Sequence, residues 1–166
     1  MNHKENFLQT KNGKITVGVL ASAAIALIVY LITAKLLHWA PFTVKTLTTK
    51  DIENLKVEIK DFTGKTKRSD LTLDDAKKEA QKASDATKKI VEAFTENNKA
   101  DVKDKKISST TMDLANSLNT KAEAALKYAN DSDWSDDSQV QAFVNKMIKT
   151  TDIDEALNKA KSDLKL

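Results

Sequence analysis

Between Lys14 and Lys35 the chain runs for 20 residues, Ile15 to Ala34, without a charged side chain. At about 1.5 Å of rise per residue, a helix of that length spans roughly 30 Å, the thickness of a bilayer's hydrocarbon core. Leu, Ile and Val dominate it, with small residues between them. It lacks the polar stripe that a helix of a water-exposed fold turns to solvent. The segment is therefore expected to be a transmembrane helix. Lys14 closes one end, and Lys35 closes the other with a stem long enough to snorkel to the headgroups. Trp39 and Phe42 follow at the depth of an aromatic belt, and Pro41 stops the helix. Lys14, Lys35, Trp39 and Phe42 are the expected membrane-interface residues, with the lipid bilayer as a first partner.

A cleaved signal has a shorter apolar core, of about 7–15 residues, and a small-x-small cleavage site. Cleavage after Ala34 would place Ile32 at the second small position, and cleavage after Ala40 would place His38 there. Neither has the required form, so retention as a signal-anchor is expected. The alternative is removal of the segment, which would leave a secreted helical binder. Lysines on the two flanks nearly balance: Lys4, Lys11 and Lys14 before the span, Lys35, Lys45 and Lys50 after it. The short tail and the acids Asp51 and Glu53 on the far flank favour a cytoplasmic N-terminus and an extracytoplasmic C-terminal domain in the cell membrane. Gly18, Ser22 and Ala26 recur every four residues and so share a helix face that admits a second helix closely, which makes a homodimer an expectation.

The formal charge of +3 would suit a nucleic-acid binder, but its distribution does not. Residues 1–40 hold four lysines and one glutamate, whereas residues 41–166 hold 23 basic and 23 acidic residues. The excess flanks the apolar segment, so no nucleic-acid partner is expected. With no cysteine in the chain, disulfides, thiol catalysis and zinc–thiolate sites are excluded.

Beyond Pro41 a Thr-rich stretch leads to DIENLKVEIKDFTGK, which fits two templates. Leu55, Val57 and Ile59 alternate like a strand, whereas Ile52, Leu55, Ile59 and Phe62 recur like a helix face. The helical template matches more positions, with Thr48 or Thr49 as N-cap and Gly64 near the end. Two long stripes with three-four spacing follow. The first is Leu73, Ala76, Ala80, Ala83, Thr87, Ile90 and Phe94, opened by Thr72 with Asp75. The second is Ile107, Thr111, Ala115, Leu118, Ala122, Ala125 and Ala129, opened by Ser108 or Ser109. A third helix, capped by Ser135, would carry Val140, Phe143, Val144, Met147 and Ile148. A fourth, capped by Thr151, would carry Ile153, Leu157, Ala160 and Leu164. Short links imply antiparallel packing.

The expected fold class is thus all-α: one N-terminal transmembrane helix followed by a small, Ala-rich antiparallel helical bundle. The expected divisions are a short basic cytoplasmic tail (1–14), the transmembrane helix with its interfacial anchor (15–40), a connector with one short helix (41–70) and an extracytoplasmic bundle (71–166). Leu, Ile, Val and Phe make up only 18 of the 96 residues from 71 to 166, near the roughly 20% level below which chains stay disordered. Net charge there is only −2, which opposes expansion. A bundle completed by a partner or by self-association is expected.

No catalytic, cofactor or metal residues are expected. TGKTK at 63–67 resembles the end of a phosphate-binding loop, but Ile59 stands where the leading glycine is required. DSDWSDD at 131–137 would put Asp136 and Ala142 where a calcium loop needs glycine and glutamate. Its expected role is an acidic turn favouring the next helix's N-terminus. Trp134 within it is either a lid on the bundle end or an exposed partner contact, and the lid is favoured. The only histidines, His3 and His38, have no catalytic partner near in sequence. Asp and Glu interleaved with Lys, as in DDAKKEAQK, read as a solvated face. The expected role is an interaction module that binds a protein or envelope partner at the outer membrane face. A second expectation is a protective factor of immunity or exclusion type, acting against a toxin or phage.

Overall fold

The structure is a computed structural model that describes residues 45–166. Among these residues every regular element is helical: α1 (Thr49–Asn54), α2 (Leu73–Lys99), α3 (Ser109–Asp131), α4 (Asp137–Lys146) and α5 (Thr150–Leu164). No described helix is long and apolar enough to cross a membrane.

The framework is the α2–α3 hairpin, helices of 27 and 23 residues and about 40 and 35 Å long. Each starts at a hydroxyl cap: the Thr72 side chain accepts from the Asp75 N–H at 3.2 Å, and Ser108 accepts from Thr111 at 3.2 Å. The expected stripes are the buried ones. Ala76, Ala80, Ala83, Thr87, Ile90 and Phe94 of α2 are buried, as are Thr111, Ala115, Leu118, Ala122, Ala125 and Ala129 of α3, while Leu73 is partly covered. Alanine on both faces lets the two backbones approach closely. The α4–α5 pair lies on this hairpin antiparallel to α3. Its start neighbours the end of α3, and Lys105 and Ser108, at the start of α3, bond to Leu164 and Asp163 at its finish.

The hairpin's small residues leave volume that other elements fill. In one half Phe62, Leu71, Trp134, Val140 and Phe143 pack over Ala76, Ala80, Ala125 and Ala129. The Phe143 ring stands 6.0 Å from that of Phe62 and 5.8 Å from that of Trp134, the latter edge-on. Elsewhere Ile52, Ile153, Leu157 and Leu164 join the buried core. Leu47, Ile52, Ile59 and Phe62 belong to the stretch expected to serve as a connector, Leu71 follows it directly, and all are buried. Residues 45–71 are therefore a strap built into the core, which supplies apolar volume that residues 72–166 lack.

The strap departs from the expected helix over 52–62. Helix α1 ends at Asn54, and the chain continues extended. Leu55, Val57 and Ile59 are turned inward while Lys56, Glu58 and Lys60 are exposed, so the alternating template is the one realised there. The backbone has no strand partner; instead the Thr150 hydroxyl accepts the Ile59 N–H at 2.8 Å and lies 3.0 Å from the Ile59 carbonyl. The side chain of α5's first residue stands in for a neighbouring strand.

Two cap assignments shift as well. Helix α4 is capped by Asp136 rather than Ser135: its carboxylate accepts from the Ser138 N–H at 2.8 Å, and Gln139 accepts the Asp136 N–H at 3.3 Å. Helix α5 is capped at Lys149 rather than Thr151, with the Asp152 carboxylate accepting the Lys149 N–H at 2.8 Å. Helix α4 also stops at Lys146, so Met147 and the buried Ile148 lie in the link to α5. In the α1 cap Thr48 is the realised choice, paired reciprocally with Asp51.

Candidate functional site

The two ends of the bundle hold the polar side chains that are most tied together. At one end Trp134 closes the core. Its indole N–H donates to the Leu71 carbonyl at 3.0 Å, and only 8% of the residue is accessible. Its backbone lies in the left-handed region at φ 50°, a conformation an L-residue rarely keeps without surrounding support. That support comes from Arg68, whose guanidinium donates to the Trp134 carbonyl at 3.3 Å while its backbone N–H donates to Asp137 at 2.9 Å. Of the two expected placements of Trp134 the ring has the covered one, turned onto Phe143 and Leu71.

The acidic turn spends its carboxylates internally. Gln139 and Ser135 donate to Asp133 and hold its carboxyl below the usual range; Ser138 does the same for Asp136. Gly64 sits at φ 79° in an exposed turn of the strap, which is the conformation that asks for glycine there. Lys60 lies 5.9 Å above the Phe62 ring.

The opposite end is closed by two neighbouring asparagines. Asn97, fully buried, accepts the Leu47 N–H at 2.8 Å and donates to the Lys105 carbonyl at 2.9 Å. It ties the incoming strap to the α2–α3 link. Asn98 accepts the Ile107 N–H at 2.7 Å and donates to the Ile107 carbonyl at 2.9 Å. Lys106 donates to the carbonyls of Asn98 and Ala100, and Lys105 donates to the Leu164 carbonyl, so cations meet the negative ends of α2 and α5. Burial alone would raise the Asp163 carboxyl. Hydrogen bonds from Thr111 and Ser108 outweigh it and hold the group below its ordinary value. Lys161 pairs with Glu53, joining α5 to α1.

The carboxyls of Glu53, Asp61, Asp133, Asp136 and Asp163 all shift downward, toward firmer ionisation, and acid catalysis needs the opposite. A shallow hollow of about 440 Å³ follows the outer side of α5, and its described lining, from Thr151 to Ser162, comes from that helix alone.

Of the candidate membrane-interface, helix-contact and partner-contact residues, Trp134 alone falls within the described chain. The anchor of residues 15–40, its interface residues Lys14, Lys35, Trp39 and Phe42, and the close-packing face of Gly18, Ser22 and Ala26 lie outside the described residues. Periodicity did not single out Asn97, Asn98, Thr150, Arg68 or Asp163, because their partners lie far away in sequence. The Asn97–Asn98 pair near the end of a helical stripe was the one local signal, since asparagine favours helix ends. No protein-family model matches this chain, and no curated protein matches it.

Proposed function

We propose that the protein is a single-pass membrane-anchored interaction module, which displays a small helical bundle at the outer membrane face to bind a protein or envelope partner. The observation that carries the reading is the uncharged stretch Ile15–Ala34 with lysines at both ends. Two features of the bundle support it. Its strap and its Trp134 lid are both packed into its own core, which gives a folded module to display. Its shifted carboxyls are all stabilised as anions, which suits a recognition surface better than a reaction centre.

The test has two parts. The full-length chain should float with membranes in a density gradient and resist extraction by alkali, at a mass that still includes residues 1–40. Protease added to intact cells should then remove the bundle. A chain lacking its first 34 or 40 residues would convert the reading to the secreted binder. Full protection of the bundle in intact cells would reverse the orientation. Crosslinking in intact membranes, followed by affinity capture of the full chain, is the route to the partner.

A further inference from the structure

The two large hydrophobic residues exposed among the described residues, Val102 and Leu166, are each 43% accessible. Both belong to the Asn97 end. Val102 lies in the α2–α3 link, where the Lys105 N–H donates to its carbonyl at 3.1 Å, and the Lys105 ammonium reaches the Leu164 carbonyl next to the C-terminus. The same end receives the strap, since Leu47 is bonded to Asn97. Leu47 is only five residues beyond Phe42, a stretch that reaches at most about 18 Å when fully extended.

The charges at this end differ in how they are used. Asp51 caps α1, Glu53 pairs with Lys161, Glu96 pairs with Lys99, and Asp163 bonds to Ser108, which leaves Asp101 and Asp104, on either side of Val102 and Lys103, without a basic partner within 4.0 Å among the described residues. Lys45, Lys50, Lys103 and Lys165 have no acidic partner within 4.0 Å among the described residues. At the Trp134 end Asp131 pairs with Lys127 and Asp137 with Arg68, while Asp70, Asp133 and Asp136 have no basic partner within 4.0 Å among the described residues and Lys65 and Lys67 no acidic one.

From these observations we infer that the Asn97 end of the bundle rests on anionic lipid headgroups, with Val102 and Leu166 dipping into the interface and Lys45, Lys50, Lys103 and Lys165 meeting the phosphates. The inference rests on the anchored reading above and adds to it which end faces the lipid. The physical reason is additive. A short tether confines this end near the surface, long ammonium stems reach anionic headgroups, and an exposed aliphatic side chain gains by leaving water. The Trp134 end, at the far side of the bundle, then faces away from the surface.

The absence of native cysteine makes the test direct. Val102→Cys and, as an outward control, Ser69→Cys are placed singly in the full-length chain and labelled with an environment-sensitive fluorophore. Each is reconstituted, at low protein-to-lipid ratio, into vesicles of phosphatidylcholine with phosphatidylglycerol and into vesicles of phosphatidylcholine alone. The expected result is a blue-shifted emission at 102, with loss of acrylamide quenching, in the anionic vesicles only. The label at 69 should stay as in water, and molar salt should reduce the shift at 102 by screening. Emission at 102 equal to that at 69, in protein that floats with the vesicles, overturns the inference and leaves the anchor standing. An equal shift in neutral vesicles overturns the role of the lysines. A shift that vanishes as the protein is diluted in lipid assigns the surface to a second copy of the chain instead. Protein that does not float overturns the anchored reading itself.

Discussion

Asn97 shows how one side chain can join three segments. Its amide takes the Leu47 N–H and gives to the Lys105 carbonyl from a position with no access to solvent. Replacing it by alanine leaves a buried donor and a buried acceptor unpaired, and each such loss costs about 1–3 kcal/mol. Asn97→Ala is expected to lower stability by about 2 kcal/mol or more, read as a reduced urea midpoint from Trp134 emission in a Trp39→Phe background. Asn98→Ala, at a position that is itself only partly buried, should cost less. Equal losses at the two positions would mean that burial does not set the difference. Trp134 makes the complementary point at the other end: its indole supplies aromatic volume to the core, and its single N–H has a partner.

At the scale of elements, the strap shows an extended segment held without a sheet. A lone strand leaves its backbone groups unsatisfied unless a side chain or water takes them. Here Thr150 takes both groups of Ile59, while Ile59 itself is buried. Thr150→Val keeps the shape and removes both bonds. The Ile59 amide should then exchange with solvent faster, by about tenfold for each 1.4 kcal/mol lost, with the amides of α2 and α3 little changed. Uniform acceleration across all helices would instead show that the strap opens only with global unfolding. The helices themselves follow local rules more closely. Hydroxyl caps open α1, α2 and α3, and Asp136 opens α4.

For the molecule as a whole, acid stability follows from the carboxyls. Glu53, Asp61, Asp133, Asp136 and Asp163 have folded-state values lowered by hydrogen bonds and, for Glu53, by lysine partners. A lowered folded value means that the unfolded chain binds more protons in the acid range. The stabilisation is therefore fully present above the ordinary carboxylate value, about 4, and is lost as pH falls through the lower folded values. The urea midpoint should hold steady from neutral pH down to about pH 5 and fall below about pH 4. Asp163→Asn should make that fall shallower, because its carboxyl joins α5 to the start of α3. A midpoint that falls already between pH 7 and pH 5 would point to a different titrating group.

What the sequence determined by itself was the local and periodic part. The two alanine-rich stripes are the buried faces of α2 and α3, because a 3.6-residue period sets which side chains share a helix face whatever they pack against. The helix starts at Thr48, Thr72 and Ser108 were legible for the same reason, since a cap bonds within four residues. Tertiary structure decided the rest. The non-helical course of residues 56–62 depends on a hydroxyl 91 residues away from Ile59, the burial of Trp134 depends on a carbonyl 63 residues away, and the packing of residues 45–71 into the core depends on volume left by alanines on helices that follow in the chain. Short-range preference chooses an element where one template fits. Where two fit, the contacts that arrive from elsewhere in the fold choose between them.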